Sequence, residues 1–66
     1  MAITVTTDEL IDINEMAEQL LNYDYYDYVA FEFIEEAVAT TYRETGMALD
    51  GENLEAYHQY ISENLI

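Results

Sequence analysis

The sequence predicts an all-α fold, a compact three-helix domain that occupies residues 1–66. Apolar residues recur at three- and four-residue spacing in three stretches of the chain. No proline interrupts them. Gly46 and the pair Asp50-Gly51 supply stop and turn signals between the second and third stretches. A chain of 66 residues is long enough for one domain only.

The first predicted helix begins at Thr6 or Thr7 and ends near Asn22. Thr6 and Glu9 have the spacing of a capping box, and Asp8 and Glu9 suit the positive end of the helix dipole. One apolar stripe is formed by Leu10, Ile13, Met16, Ala17, Leu20 and Leu21. The opposite face carries Asp8, Asp12, Glu15 and Glu18.

The second helix is predicted over residues 24–44, with Asp24 as its N-cap and Gly46 as its stop. Arg43, the one cation, falls in the last turn, where the helix dipole favours it. The apolar arc is too wide for one neighbour to cover, so this helix is expected to be central. The arc comprises Tyr26, Tyr28, Ala30, Phe31, Phe33, Ile34, Ala37, Val38, Thr41 and Tyr42, and the remaining face holds Glu32, Glu35 and Glu36.

The third helix is predicted over residues 52–65. Its apolar face comprises Leu54, Tyr57, His58, Ile61 and Leu65, while Glu52, Glu55 and Glu63 point away from that face. Residues 2–6 alternate in the manner of a short β segment. This segment would pair with residues 47–49 or with a second copy, or else form a disordered start, because a single strand is not stable alone.

The charge balance excludes several classes of function. Fifteen acids stand against one Arg and no Lys, for a net charge of −14. Direct nucleic-acid binding and membrane-surface binding both need basic residues, so neither is expected. With 52% hydrophobic residues and seven Tyr, the chain is too apolar for an acidic disordered tail. The N-terminus lacks the basic region and the apolar stretch of a signal peptide, so a cytoplasmic location is expected. If a phage encodes the protein, this would be the cytoplasm of the host cell.

Catalysis, a cofactor and a metal site are not expected. The absence of Cys excludes disulfides, zinc ribbons and thiol chemistry, and there is no phosphate-binding glycine loop. Glu55 and His58 have the spacing of a di-iron motif, which needs two copies and further ligands such as Glu32 or Glu35 from a dimer. His58 lies on the apolar stripe of its helix, so a structural role is the expectation.

The density of negative charge suggests an interaction surface. Ordinary small domains mix both signs and carry a net charge of about 2–8 in magnitude. At one charge per about 1.7 Å, fourteen charges correspond to about 24 Å of duplex DNA. A domain of this size has a diameter of roughly 28 Å. The protein is therefore expected to imitate DNA in charge and to occupy the basic cleft of a DNA-binding protein, although solubility or adaptation to salt would also produce an acidic surface.

The candidate contact residues are acids and tyrosines on the outer faces. The aromatic candidates are Tyr23, Tyr25 and Tyr28, because Tyr26 and Tyr57 are expected in the core. The surplus of aromatic residues also predicts self-association, so a homodimer is considered beside a monomer. The acids expected to stand in for phosphates are Asp8, Asp12, Glu15, Glu18, Asp24, Asp27, Glu32, Glu35, Glu36, Glu52 and Glu55.

Acids are interleaved with Tyr, Ala and Leu in three segments of the chain. These segments are residues 6–20 (TTDELIDINEMAEQL), 26–36 (YDYVAFEFIEE) and 53–65 (NLEAYHQYISENL). In this respect the chain resembles the DNA-mimic inhibitors of phages and mobile elements, the Ocr and ArdA types of antirestriction protein, and by function the acidic anti-CRISPR proteins. The chain is much shorter than either antirestriction type. The resemblance implies a restriction-modification enzyme, a CRISPR complex or another host DNA-binding protein as partner. An acidic adaptor or antitoxin-like module that docks on a basic protein without imitating DNA is the alternative.

Overall fold

The computed structural model describes residues 6–23, 26 and 28–65. Within these residues three α-helices follow one another, α1 (Thr7–Leu20), α2 (Phe31–Thr45) and α3 (Leu54–Asn64), with a 3-10 turn over Gly51–Asn53 before α3. This arrangement confirms the predicted all-α, three-helix fold. The predicted β segment lies outside the described residues except for Thr6. Asp24, Tyr25 and Asp27 also lie outside them.

The capping box that the sequence predicts at the start of α1 is present. The Thr6 hydroxyl accepts from the Glu9 amide at 3.2 Å, and the Glu9 carboxylate accepts from the Thr6 amide at 2.8 Å. The helix ends at Leu20, slightly before the predicted Asn22. Leu10, placed on the apolar stripe by its spacing, is 56% exposed because it lies at the edge of the buried stripe.

The start of α2 differs from the prediction. The helix begins at Phe31, with Ala30 in extended conformation as N-cap, so the predicted start at Asp24 is wrong. The apolar pattern begins earlier because Tyr26 fills the core from a turn, in which the Tyr26 amide donates to the Tyr23 carbonyl at 3.1 Å. The predicted end is confirmed: Gly46 adopts φ 71°, a left-handed conformation that favours glycine, and its amide donates to the Tyr42 carbonyl.

The core lies along α2, which packs against both α1 and α3 as its wide apolar arc predicts. Tyr26 and Tyr57 are buried, as expected. Thr41 is also buried, and its hydroxyl donates to the Ala37 carbonyl at 2.8 Å. Phe33 instead remains 44% exposed, because neither neighbouring helix covers it. The buried apolar residues are Ile13, Met16, Ala17, Leu20, Tyr26, Ile34, Ala37, Val38, Tyr57 and Ile61.

The connector between α2 and α3 is fixed by side-chain hydrogen bonds. The Tyr57 hydroxyl donates to the Met47 carbonyl at 2.6 Å, which joins the connector to α3. Asp50 caps the 3-10 turn by accepting from the Glu52 amide at 3.3 Å. The predicted third helix therefore begins with a 3-10 turn and becomes α-helical at Leu54.

Candidate partner-binding surface

Most of the candidate acids lie on the solvent side of the three helices. Glu35 is the exception among the described candidates, since it is partly buried and its carboxylate accepts from the Asn14 side-chain amide of α1 at 3.0 Å. Asp24 and Asp27 lie outside the described residues. The exposed candidate acids are Asp8, Asp12, Glu15 and Glu18 on α1, Glu32 and Glu36 on α2, and Glu52 and Glu55 around the start of α3.

Tyrosine hydroxyls connect the helices by donating to carboxylates. The Tyr42 hydroxyl of α2 donates to Glu9 of α1. The Tyr23 hydroxyl, from the loop after α1, donates to Glu55 of α3 at 2.9 Å. Residue spacing does not predict these contacts, and the excess of Tyr over Lys and Arg is the signal in the sequence that points to them.

The third such contact joins the ends of α2 and α3, where the Tyr60 hydroxyl donates to Glu44 at 2.9 Å. A hydroxyl is a neutral donor, so the carboxylate keeps its full negative charge, whereas a lysine would neutralise it. The three contacts therefore stabilise the packing of the helices without reducing the net charge.

The hydrogen bonds change the pKa values of the three tyrosines and of Glu9. The hydrogen bond from Tyr42 lowers the pKa of Glu9, and the amide of Thr6 lowers it further, because both favour the ionised carboxylate. The same kind of bond raises the pKa of Tyr42, Tyr23 and Tyr60, since each phenol must stay protonated to donate. Near neutral pH these contacts consist of a neutral phenol and a negative carboxylate.

The aromatic candidates have different environments. Tyr28 is fully exposed, at 101% of its reference surface. Tyr23 is partly buried, and its ring centroid lies 4.3 Å from that of His58. Tyr25 lies outside the described residues.

His58 has the structural environment expected of it. It is partly buried, and its Nδ1 lies 3.0 Å from the hydroxyl of Tyr26 in the core. The Glu55 carboxylate is bound by Tyr23. Among residues 6–23, 26 and 28–65, no group of three or more potential metal ligands comes together.

An apolar groove runs beside the acids of α2. One part of it, about 250 Å³, is lined by Phe33, Glu36, Ala37, Thr40 and Leu65. A second part, about 340 Å³, continues from Phe33 and is lined by Tyr28, Val29 and Ala30. The groove lies open to solvent, whereas ligand pockets enclose most of the surface of their ligand, so it suits a side chain better than a small molecule.

The dimensions allow the charge density to be compared with that of DNA. The chain extends over 30 × 21 × 21 Å, with a radius of gyration of 10.8 Å. Thirteen of the fifteen acids and Arg43 lie in the described residues, which gives these residues a net charge of −12. Along the 30 Å axis this amounts to one charge per about 2.5 Å, against about 1.7 Å in duplex DNA.

Comparisons with known proteins give no match: no family model fits the chain, and neither the curated proteins nor the solved structures contain a significant relative. In the described part of the chain, no helix has the length and apolar character needed to cross a membrane.

Proposed function

We propose that this protein binds the basic nucleic-acid-binding surface of a partner protein and blocks it in competition with DNA. Exposed carboxylates on all three helices would occupy the partner's Arg and Lys side chains in place of phosphates. A restriction-modification enzyme or a CRISPR complex is the class of partner that the resemblance implies. No catalytic step and no cofactor form part of the proposal.

The observation that carries the proposal is the way in which the acids are held. Tyrosine hydroxyls and an asparagine amide, all neutral donors, connect acids between the helices, as in Tyr42 to Glu9 and Asn14 to Glu35. Arg43 is exposed at the end of α2. The negative field is thus nearly uncompensated, and a field of this kind steers a basic partner into contact.

The test is a competition experiment on a partner captured with the immobilised protein. Labelled duplex DNA is titrated against the partner with and without the protein, at about 50 and about 200 mM salt, because charge-driven binding of DNA weakens steeply over that interval. Mutual exclusion, with an affinity for the protein that falls over the same interval, is expected. A ternary complex of partner, DNA and protein would contradict the proposal.

A pair of charge-matched variants locates the contact. Glu15→Lys alters one of the acids of α1 that are expected to stand in for phosphates, whereas Glu63→Lys alters an exposed acid of α3 that is not among them. Both variants carry the same net charge. Glu15→Lys is expected to weaken binding to the partner more than Glu63→Lys does. Equal losses would mean that only the overall charge matters and that these carboxylates do not replace particular phosphates.

The second candidate function is the adaptor or antitoxin-like module, which the apolar groove at Phe33 favours. Such a module would bind a basic protein at a surface that leaves DNA binding intact. It predicts the ternary complex that competitive mimicry forbids, and it predicts greater sensitivity to Phe33→Ser than to Glu15→Lys. The competition experiment therefore separates the candidates, because only the adaptor forms the ternary complex.

A further inference from the structure

The groove at Phe33 and the acids beside it form one composite surface. Phe33 and Tyr28 are 44% and 101% exposed, so the groove offers apolar area that the described residues leave uncovered. Glu36 and Ala37 follow Phe33 after three and four residues, and Thr40 follows them after four and three, so these side chains lie on one side of α2. An exposed apolar side chain and a negative charge thus lie next to each other on a single helix face.

The acids on this face indicate what kind of partner can cover the groove. Glu36 lines the groove directly, and Glu32 is exposed one turn before it. Glu44 follows Thr40 after four residues and extends the same row toward the end of the helix. Any segment that inserts a side chain beside Phe33 will meet this row of carboxylates.

A second copy of this chain is a poor occupant of the groove. In a twofold interface the same surface faces itself, so Glu32 and Glu36 of one copy would face the acidic row of the other. Each copy also has a net charge of −14 and no lysine that could compensate. A basic partner gains from the same charges that repel a second copy.

We infer that the groove binds an apolar side chain from a basic helical segment of the partner, whose Lys or Arg side chains pair with Glu32, Glu36 and Glu44. This inference rests on the proposed function and adds an apolar anchor to the charge contact. The mode is that of an amphipathic helix in a groove, in which a few apolar anchors supply contact that salt does not screen.

The inference is tested with two fluorescein-labelled helical peptides of identical charge. Both carry the same lysine stripe; one has two leucines four residues apart as anchors, and the other has serines there. At about 150 mM salt the leucine peptide is expected to bind about tenfold more tightly, since burial of part of a leucine side chain supplies that much. Phe33→Ser should abolish the difference.

Two further variants keep the result interpretable. Ile11→Ser is the matched control, because Ile11 is a 54% exposed apolar residue of α1 that does not line the groove, and it should preserve the tenfold difference. Tyr28→Ser removes a groove residue with a fully exposed side chain, so it tests the site without disturbing the core. It should reduce the difference, and circular dichroism verifies that each variant is folded.

Several outcomes would overturn the inference. Equal affinity for the two peptides at about 150 mM salt would remove the groove from the interaction and leave the charge-based function standing. Binding of neither peptide would likewise overturn the groove inference, and the competition experiment with DNA decides the proposed function separately. A dimer that dissociates on Phe33→Ser, seen by sedimentation, would assign the groove to a second copy. NMR contacts between the Phe33 ring and the methyl groups of Ile3 or Val5 would assign it to the chain's own N-terminal segment.

Discussion

The buried hydroxyl of Tyr57 should make the stability of the protein depend on pH in a way that one substitution removes. The Tyr57 side chain is fully buried, and its hydroxyl donates to the Met47 carbonyl at 2.6 Å. Tyr57→Phe deletes this hydrogen bond while it keeps the ring. At pH 8 the variant is expected to lose about 1 kcal/mol in free energy of unfolding, the net contribution of a typical hydrogen bond.

The pH dependence follows from the raised pKa of this tyrosine. Burial raises the pKa of Tyr57 to about 12, from 10 in the unfolded chain, and the nearby Tyr42 adds to the shift. The contribution of the neutral hydroxyl is therefore complete below pH 10 and is lost as the pH rises toward 12. With a pKa of about 12 in the folded protein and 10 in the unfolded chain, the free energy of unfolding at pH 11 would be lower by roughly 1.4 kcal/mol. Since the hydrogen bond to Met47 is only partly buried, solvent screening reduces the expected loss to about 1 kcal/mol.

The wild-type advantage over Tyr57→Phe should therefore be about 1 kcal/mol at pH 8 and close to zero at pH 11. Thermal melts followed by circular dichroism resolve this difference, since 1 kcal/mol corresponds to about 4–8 °C in a domain of this size. Apart from Tyr42, whose charge acts on Tyr57, the other tyrosines titrate alike in both proteins and cancel. Tyr28→Phe, which alters a fully exposed side chain, should match the wild type at both pH values. A difference that stays constant from pH 8 to pH 11 would refute the reasoning.

Two further predictions concern the backbone and the net charge. Gly46→Ala should destabilise the protein by about 1 kcal/mol because Gly46 has φ 71°. Gly51→Ala should destabilise it less, because Gly51 has neither a positive φ nor close neighbours. Equal midpoints of the two variants in urea unfolding would contradict this prediction. Raising NaCl from about 0.1 M to about 1 M should raise the melting midpoint, because the screening length falls from about 10 Å to about 3 Å and the acids repel each other less. An unchanged or lower midpoint would show that repulsion does not limit stability.

The parts of the fold that local chemistry determines could be predicted from the sequence. The capping box at Thr6 and the left-handed Gly46 act within one helical turn, so residue types and spacing identify them. The start of α2 could not be predicted in this way. Tyr26 reaches the core from a turn, and periodicity alone does not distinguish that placement from another helical turn.

The candidate surface was predictable to a similar degree. Acids opposite an apolar stripe are exposed almost by necessity, and those of α1 are exposed as expected. The bond from Tyr42 to Glu9 joins residues 33 positions apart, so it depends on how the helices pack. The exposure of Phe33 likewise depends on which part of α2 its neighbours leave uncovered.

The hydrogen bonds from Tyr23, Tyr42 and Tyr60 to glutamates join the helices without changing the net charge of the protein, and this can be used for engineering. Lysine at any one of these positions could hold the same carboxylate through an ion pair, and the net charge would move from −14 to −13. Replacing the tyrosines one at a time thus offers a graded series of proteins with one helical scaffold and progressively weaker fields. Tyrosine at these three positions lets a very small domain join its helices while it remains almost purely anionic.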